Sequence, residues 1–375
     1  MIKNLIIQAK KIIFIIFISL FFFLIIDFFL GSFVLNKLDK YFNKTEFYER
    51  LFKIDHPIYH HDLRPNTSYK LNKSFDGEYF TFCTDNNGFR YKCNFQREKD
   101  FDIGFMGDSF TEGASLDYED TFVGLFEKKY NKKIANLGVG TYAPTIYLSK
   151  INFLLNNGYK FNEIILFIDV SDLYDDNVYY YLDKNFVVKE NYKVIKQNKF
   201  KRFLRMNFRV TNYFFYVLKR KKLKDNNFVT SEFKQNTQDY PEFDNHVNLK
   251  SSWTYTLADY IEGYDGSISE AKKKQIEVVN QIYLLLKKNK IDLSIAVYPW
   301  PQTLMNDKEK SVYTEIWREF CVNKCKNFIN FFPIFFQEMK NSSFVEVYKK
   351  YYWWNDVHFN KKGNMLIADE LFKYF

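Results

Sequence analysis

The sequence predicts an α/β fold, a parallel sheet held between helices in three α/β/α layers, preceded by one apolar N-terminal helix. Strand-like and helix-like segments alternate from about residue 101 onward, the pattern that sets parallel strands in one sheet and their connecting helices on its faces. One of those strands, Glu163–Asp169, is apolar almost throughout, as a strand covered on both faces must be. A further apolar run, from Ile12 to about Leu35, is long enough at ~1.5 Å per residue to cross a hydrocarbon core of ~30 Å.

The N-terminal run follows Lys3, Lys10 and Lys11 and is interrupted only by Ser19, Asp27, Gly31 and Ser32. A cleaved signal peptide is the competing reading. The stretch is long for a signal core and no Ala-x-Ala site follows it, so an uncleaved anchor is expected. Lys37, Lys40 and Lys44 come after the span, so flanking charge orients it only weakly. The expectation is a single pass through the cytoplasmic membrane, with the rest of the chain on the periplasmic or extracytoplasmic side. Asp27 is costly at a bilayer centre and tolerable near an interface.

Beyond the anchor (1–35), residues 36–55 read as a charged juxtamembrane helix and 56–100 as extended and turn-rich, punctuated by His56-Pro57, Arg64-Pro65-Asn66 and Asn86-Asn87-Gly88. The third part is 101–375. Its strands are expected at Phe101–Met106, Ile134–Leu137, Glu163–Asp169, Leu293–Tyr298 and near Phe328–Phe331. Its helices are expected at Asp120–Tyr130, Pro144–Asn156, about Ser269–Lys288, about Lys308–Asn323 and Lys361–Phe375, from apolar residues at helical spacing. Residues 175–265 break the rhythm and read as an insertion. They are rich in aromatics and in basic runs (Lys199, Lys201, Arg202; Lys219 to Lys222) that either lie on anionic lipid or form a solvated helix.

Composition narrows the class. With 47% hydrophobic and 21% aromatic residues in 375, the chain can bury a large core, which argues against wholesale disorder. The net charge of +9 is scattered rather than striped, and no zinc-finger spacing, RNA-binding aromatic signature or basic-zipper heptad occurs, so no nucleic-acid partner is expected. Cys83 and Cys93 flank the turn at Asp85–Gly88 and could bridge a hairpin. Cys321 and Cys325, one turn apart on an expected helix, have poor geometry for a bridge. Neither pair resembles a metal site, and no cofactor is implied.

Two segments carry chemistry. Gly107-Asp108-Ser109-Phe110-Thr111-Glu112-Gly113 follows the first sheet strand directly, where a nucleophile is exposed and backbone amides are free for an anionic intermediate, so Ser109 can present its hydroxyl and its own N–H to one carbonyl. At the other end, Asp356-Val357-His358 precedes the last helix. That spacing lets Asp356 accept from one ring nitrogen while the other faces a serine. The alternative for the second segment is a surface loop capped by Asn360.

Together these blocks resemble the SGNH (GDSL-type) esterase and acyltransferase family over roughly 101–375, minus the insertion. The resemblance implies a flavodoxin-like parallel sheet, Ser109 as nucleophile, His358 as base and Asp356 as its orienting carboxylate. In the second block, Asn136 to Tyr142, it implies an oxyanion-binding amide; Gly138, Gly140 and Thr141 are candidates, and Gly140 is the one assigned. The third block normally reads Gly-x-Asn-Asp, and Asp169-Val170-Ser171-Asp172 stands in its place, with Ser171 where the family's asparagine donates. The family's usual last block is Asp-x-x-His. Aligned that way Asn355 would replace the aspartate, whereas Asp-x-His matches other membrane-associated members.

Asp108 and Trp300 are assigned to substrate contact, Trp300 as a platform for a sugar ring or, alternatively, part of a rigid core-capping loop. His60-His61 with Asp62 looks like a metal fragment but reads more readily as structural. Asp172, Asp175 and Asp176 could hold a cation or cap the next segment. The function expected is a serine-dependent esterase or O-acyltransferase acting on O-acyl groups, foremost O-acetyl, of a cell-envelope or exported glycan. A glycan-binding or assembly module that keeps the fold without turnover is the alternative.

Overall fold

The computed structural model describes residues 2–35, 52–72, 79–191, 203, 204, 207, 208, 210, 211, 241, 250–256, 259–261 and 263–375. The chain divides into two compact units, Met1–Arg50 with Tyr192–Thr237 and Leu51–Asn191 with Gln238–Phe375. Residues 36–51 of the expected juxtamembrane helix, and the basic runs at 199–202 and 219–222, lie outside the described residues.

In the first unit, α1 (Ile2–Phe29) ends in one π-helical turn, Leu30–Leu35. Lys10–Val34 is the one helix among the described residues long and apolar enough to cross a membrane, a test that a signal sequence also passes. Asp27 is buried within this unit. Its carboxylate accepts the Val210 and Thr211 amides at 2.9 and 2.8 Å and the Thr211 hydroxyl at 2.6 Å. Ser32 donates to Asn207 and Phe28 packs on Phe208, so Asp27 and Ser32, two of the polar interruptions of the apolar run, are hydrogen-bonded.

The second unit is built on a five-stranded parallel sheet. Four short strands come first: β1 (Lys53–His56) and β2 (His60–Leu63) form one hairpin, β3 (Ser68–Asn72) and β4 (Tyr79–Cys83) another. Then come β5 (Asp100–Met106), the single turn α2 (Ser109–Glu112), α3 (Phe122–Tyr130), β6 (Ile134–Asn136), α4 (Pro144–Asn156) and β7 (Lys160–Ile168). After α5 (Asp172–Val178) and the hairpin β8–β9 (Tyr180–Leu182, Val188–Glu190), the order is α6 (Ile268–Lys288), β10 (Asp292–Val297), α7 (Pro301–Asn306), α8 (Val312–Cys321) and β11 (Phe328–Asn330). Three helices close the chain: α9 (Phe332–Met339), α10 (Phe344–Tyr351) and α11 (Lys361–Leu371).

The sheet order is β11-β10-β7-β5-β6, all parallel. The central strand β7 has no exposed side chain from Ile164 to Ile168, and side chains alternate between faces, so both faces are covered. Helices α4 and α6 pack against each other, as do α3 and α11. Phe105 of β5 stacks on Phe167 of β7 with centroids 5.6 Å apart, and both are fully buried, each adding about 1.5–3 kcal/mol of apolar burial.

Every sheet strand lies where the apolar pattern puts it. Residues 53–55, expected as the end of a helix, instead belong to strand β1, because Lys53–His56 pairs in register with His60–Leu63 across a two-strand ribbon. The cysteine expectation also needs correction: Cys321 and Cys325 are bridged. Helix α8 stops at Cys321, and Asn323 takes a left-handed φ of 61°, so Cys325 turns back until its Cα lies 4.7 Å away, within the range a disulfide spans. Cys83–Cys93 closes the turn beside β4.

Chain-entropy arguments give the Cys83–Cys93 bridge, which closes a loop 10 residues long, about 2–3 kcal/mol. Cys93→Ser should lower stability by about that amount in urea denaturation and add nothing further when reductant is present.

Candidate active site

Ser109 is the first residue of α2, at the carboxyl end of β5. The chain can turn there because residue 107 is glycine: a Cβ at Gly107 would lie 2.1 Å from Thr111 Oγ1. Asp108 caps the turn, its Oδ1 accepting the Phe110 amide at 3.0 Å, and it also accepts the Tyr298 hydroxyl at 3.1 Å. Asn136 ties the second block to this turn. Its Nδ2 donates to Thr111 O at 2.7 Å and its Oδ1 accepts the Gly138 amide at 3.1 Å.

His358 comes from the loop between α10 and α11. An antiparallel bridge between Tyr352 and Phe359 closes that loop, and Trp353 N donates to His358 O at 3.0 Å. The Tyr348 hydroxyl accepts the Asp356 amide at 2.9 Å and sits 2.7 Å from Trp353 O. Asn360 caps α11 through the Gly363 amide, and Asn364 Oδ1 accepts the Phe122 amide, fixing the terminal helix to α3.

The loop thus held sets His358 Nε2 2.7 Å from Ser109 Oγ, while His358 Nδ1 lies 2.5 Å from Asp356 Oδ1, which also accepts the His358 amide at 2.8 Å. Burial acts to lower the His358 pKa, but the adjoining Asp356 carboxylate outweighs it and the net shift is upward from 6.5. Burial likewise pushes Asp356 up, and the imidazole with its hydrogen bonds brings it down below the usual carboxylate value. The ring is therefore oriented by one carboxylate and directed at one hydroxyl.

The other expected donors are otherwise engaged. The Gly140 amide, expected to face a substrate oxygen, donates to Glu112 Oε2 at 2.6 Å. Ser171 is buried; its amide donates to Asp169 Oδ1 at 2.7 Å, and its hydroxyl also bonds Asp169. Trp300 is only 5% exposed and its indole N–H donates to Asp169 Oδ2 at 2.5 Å, so it caps the core and offers no face for a sugar. Asp108 is buried, and its Oδ1 is occupied by the Phe110 amide and the Tyr298 hydroxyl. Asp172 accepts the Asp169 amide, Asp176 accepts the Thr145 amide and Asp175 pairs with Lys250, which is capping and pairing.

His61 and Asp62, read from sequence as structural, and Lys53 and Glu112, given no role there, lie beside the site. His61, on β2, approaches Gly140 O with Nε2 at 3.0 Å, and burial drops its pKa to about 3, so the ring is neutral. Its neighbour Asp62 pairs with the buried Lys150 at 2.8 Å. A Cβ built on Gly140 would lie 3.0 Å from Lys53 Nζ, 3.6 Å from Glu112 Oε2 and 3.6 Å from Ser109 Cβ, so a lysine and a glutamate border the serine. Glu112 stands inside the Gly107–Gly113 motif; nothing in the local sequence around Lys53 signals its place.

No family model matches the chain, and no curated protein does. Several solved structures are similar. One is a psychrotrophic esterase from Pseudoalteromonas sp., with 12% identity over 74% of this chain and 96% of that one and a TM-score of 0.36. Another is a member of the lipolytic G-D-S-L family from Veillonella parvula, with 11% identity over 73% and 97% and a TM-score of 0.37. A third is an acetylxylan esterase from Geobacillus stearothermophilus, with 10% identity over 73% and 93% and a TM-score of 0.34.

Below the site lies a buried acidic layer. Burial, reinforced by Asp169, pushes Asp108 up to about 8, and burial pushes Asp176 up to about 7; Asp169 and Asp172 shift the same way. A carboxyl whose folded pKa is raised above its unfolded value near 3.8 stabilises the fold fully below that value and loses the contribution as pH rises through the folded pKa. Stability should therefore fall between about pH 4 and 8, and Asp108→Asn should flatten the slope, as read from urea midpoints across that range.

Proposed function

We propose that this chain is a serine-dependent enzyme of acyl esters. The observation that supports it is the continuous Ser109–His358–Asp356 hydrogen-bonded series at the carboxyl end of a parallel strand. Ser109 Oγ attacks the ester carbonyl carbon while its proton passes to His358 Nε2. The tetrahedral adduct collapses, the C–O bond to the alcohol breaks, and His358 returns the proton to the leaving oxygen. The acyl group now sits on Ser109. A water or a sugar hydroxyl attacks it in the same manner, losing its proton to His358 and releasing acid or a new ester. Asp356 holds the ring in the tautomer that leaves Nε2 free and stabilises the imidazolium that forms.

The substrate we infer is an O-acyl group, foremost O-acetyl, on a cell-envelope or exported glycan. The support is the apolar helix Lys10–Val34: a membrane-anchored enzyme on the extracytoplasmic side suits a large envelope substrate better than a soluble metabolite. A second reading, a glycan-binding module without turnover, is favoured by the carboxylate bonds to the Gly140 amide and Ser171.

A fluorophosphonate probe separates the two. Ester chemistry requires stoichiometric labelling of the full chain in detergent, abolished in Ser109→Ala; an unlabelled, folded wild type overturns it. Labelling should rise with pH through a midpoint above 6.5, as His358 loses its proton. Asp356→Asn removes the charge that holds the imidazolium, so the midpoint should move to lower pH while the plateau falls by about 10⁴-fold.

A further inference from the structure

Two of the three donors expected to stabilise the anion that the catalytic series would create, Gly140 and Ser171, are turned away from it, which leaves Ser109's own amide. A tetrahedral adduct places negative charge on one oxygen beside Ser109 Oγ, and acyl-transfer sites meet it with two or three hydrogen-bond donors. Here the Gly140 amide is directed at Glu112 Oε2 at 2.6 Å, and both the amide and the hydroxyl of Ser171 are directed at Asp169. The buried carboxyls of Asp108 and Asp169 lie under the same turn, so the surroundings add no positive potential.

A lysine comes close to this place. Lys53, at the start of β1, extends its Nζ to 3.0 Å from where a Gly140 Cβ would stand, and Ser109 Cβ is 3.6 Å from the same point on the serine side. Only the missing side chain of Gly140 leaves the space in which lysine, glutamate and serine meet. The lysine is also held in place from below: β1 pairs with β2 through Lys53 and Leu63, and His61 of β2 is fastened to Gly140 O at 3.0 Å. The hairpin that carries the cation is thus hydrogen-bonded to the loop that borders the nucleophile.

We propose that Lys53 is a catalytic residue whose ammonium stabilises the oxyanion of the Ser109 adduct, in place of the donors taken by Glu112 and Asp169. The proposal rests on the reading of Ser109 as nucleophile. No bond to Lys53 forms or breaks. The ammonium stands beside the space that the substrate oxygen enters as negative charge develops on it. A fixed cation next to a developing anion in a partly dehydrated site acts mainly on the transition state, so the effect belongs in the chemical step.

The test is the rate at which a fluorophosphonate phosphonylates Ser109 in the full chain, resolved into probe affinity and maximal rate. Lys53→Met should cut the maximal rate by about 10²-fold with affinity and final stoichiometry unchanged, and Lys53→Arg should restore most of it. Lys53→Gln, which keeps much of the stem, should behave as Lys53→Met if charge is the cause, and melting temperatures near wild type for both would rule out a folding defect. Labelling of Lys53→Met or Lys53→Gln at the wild-type rate overturns the role of Lys53 and leaves the Ser109 reading intact. A loss that Lys53→Arg does not restore also overturns it. A wild-type chain that does not label overturns the Ser109 reading itself, and the role of Lys53 with it.

Discussion

The contact between Ser109 and His358 joins residues 249 positions apart, and most of the second unit is arranged so that it can form. A hydrogen bond of this kind tolerates only a few tenths of an ångström, so both partners must stand on rigid supports. Ser109 stands on β5, a strand paired on both edges. His358 stands on a loop clamped at both ends, by α10 below Tyr348 and by α11 through Asn360 and Asn364. The join between α11 and α3 brings the two supports to one another, because α3 follows β5 and the serine turn in the chain and packs against α11.

Charge is distributed unevenly around that contact. Four carboxyls, Asp108, Asp169, Asp172 and Asp176, are buried and accept from amides, hydroxyls and an indole, while Asp172 Oδ1 and Asp176 Oδ2 have no hydrogen-bond partner among the described residues. Burial raises all four, which keeps protons on part of the group and limits the repulsion such a layer would otherwise cause. The layer is structural in what it binds, yet it favours a cationic His358. The same field opposes any oxyanion formed above it. A site with this foundation needs positive charge from outside the sheet, and the β1–β2 hairpin is the element that approaches from there.

Much of this was legible in the sequence because it follows from periodicity. The five sheet strands and the long helices have buried faces, and burial writes itself as apolar spacing. Pro144–Asn156 begins at a proline and ends before Asn157-Gly158, so even its limits can be read. The short elements are different. Strands β1 to β4 are four or five residues long with polar members such as Lys53, His60, His61 and Lys70, and their order comes from pairing with each other, not from a one-face pattern. Helices α9 and α10 are eight residues each and were not visible for a similar reason. At the site, the serine and histidine announce themselves by motif. Where a backbone amide or an indole points cannot be read from sequence: Gly140, Ser171 and Trp300 each stand at the expected position with their polar atoms turned to a carboxylate.

That last point bears on how an oxyanion site can be rebuilt. The asparagine expected in the third block is a long donor that reaches past the strand end toward the serine. A serine there is too short to do so, and its hydroxyl takes the nearer partner, Asp169. With that donor lost, the amide of Gly140 would be the main remaining one besides Ser109's own, and a glutamate within the nucleophile turn has taken it. Replacing hydrogen-bond donors by a single ammonium is chemically reasonable, since a full charge at short range in a low-dielectric site exceeds a neutral donor. It also demands that the cation be held by something other than the sheet. The hydrogen bond from His61 to Gly140 O does this, and because the ring is neutral it does so without adding to or competing with the charge on Lys53. The hairpin before the sheet is then part of the site, and a serine turn without it would have a nucleophile and a base but little to hold the anion between them.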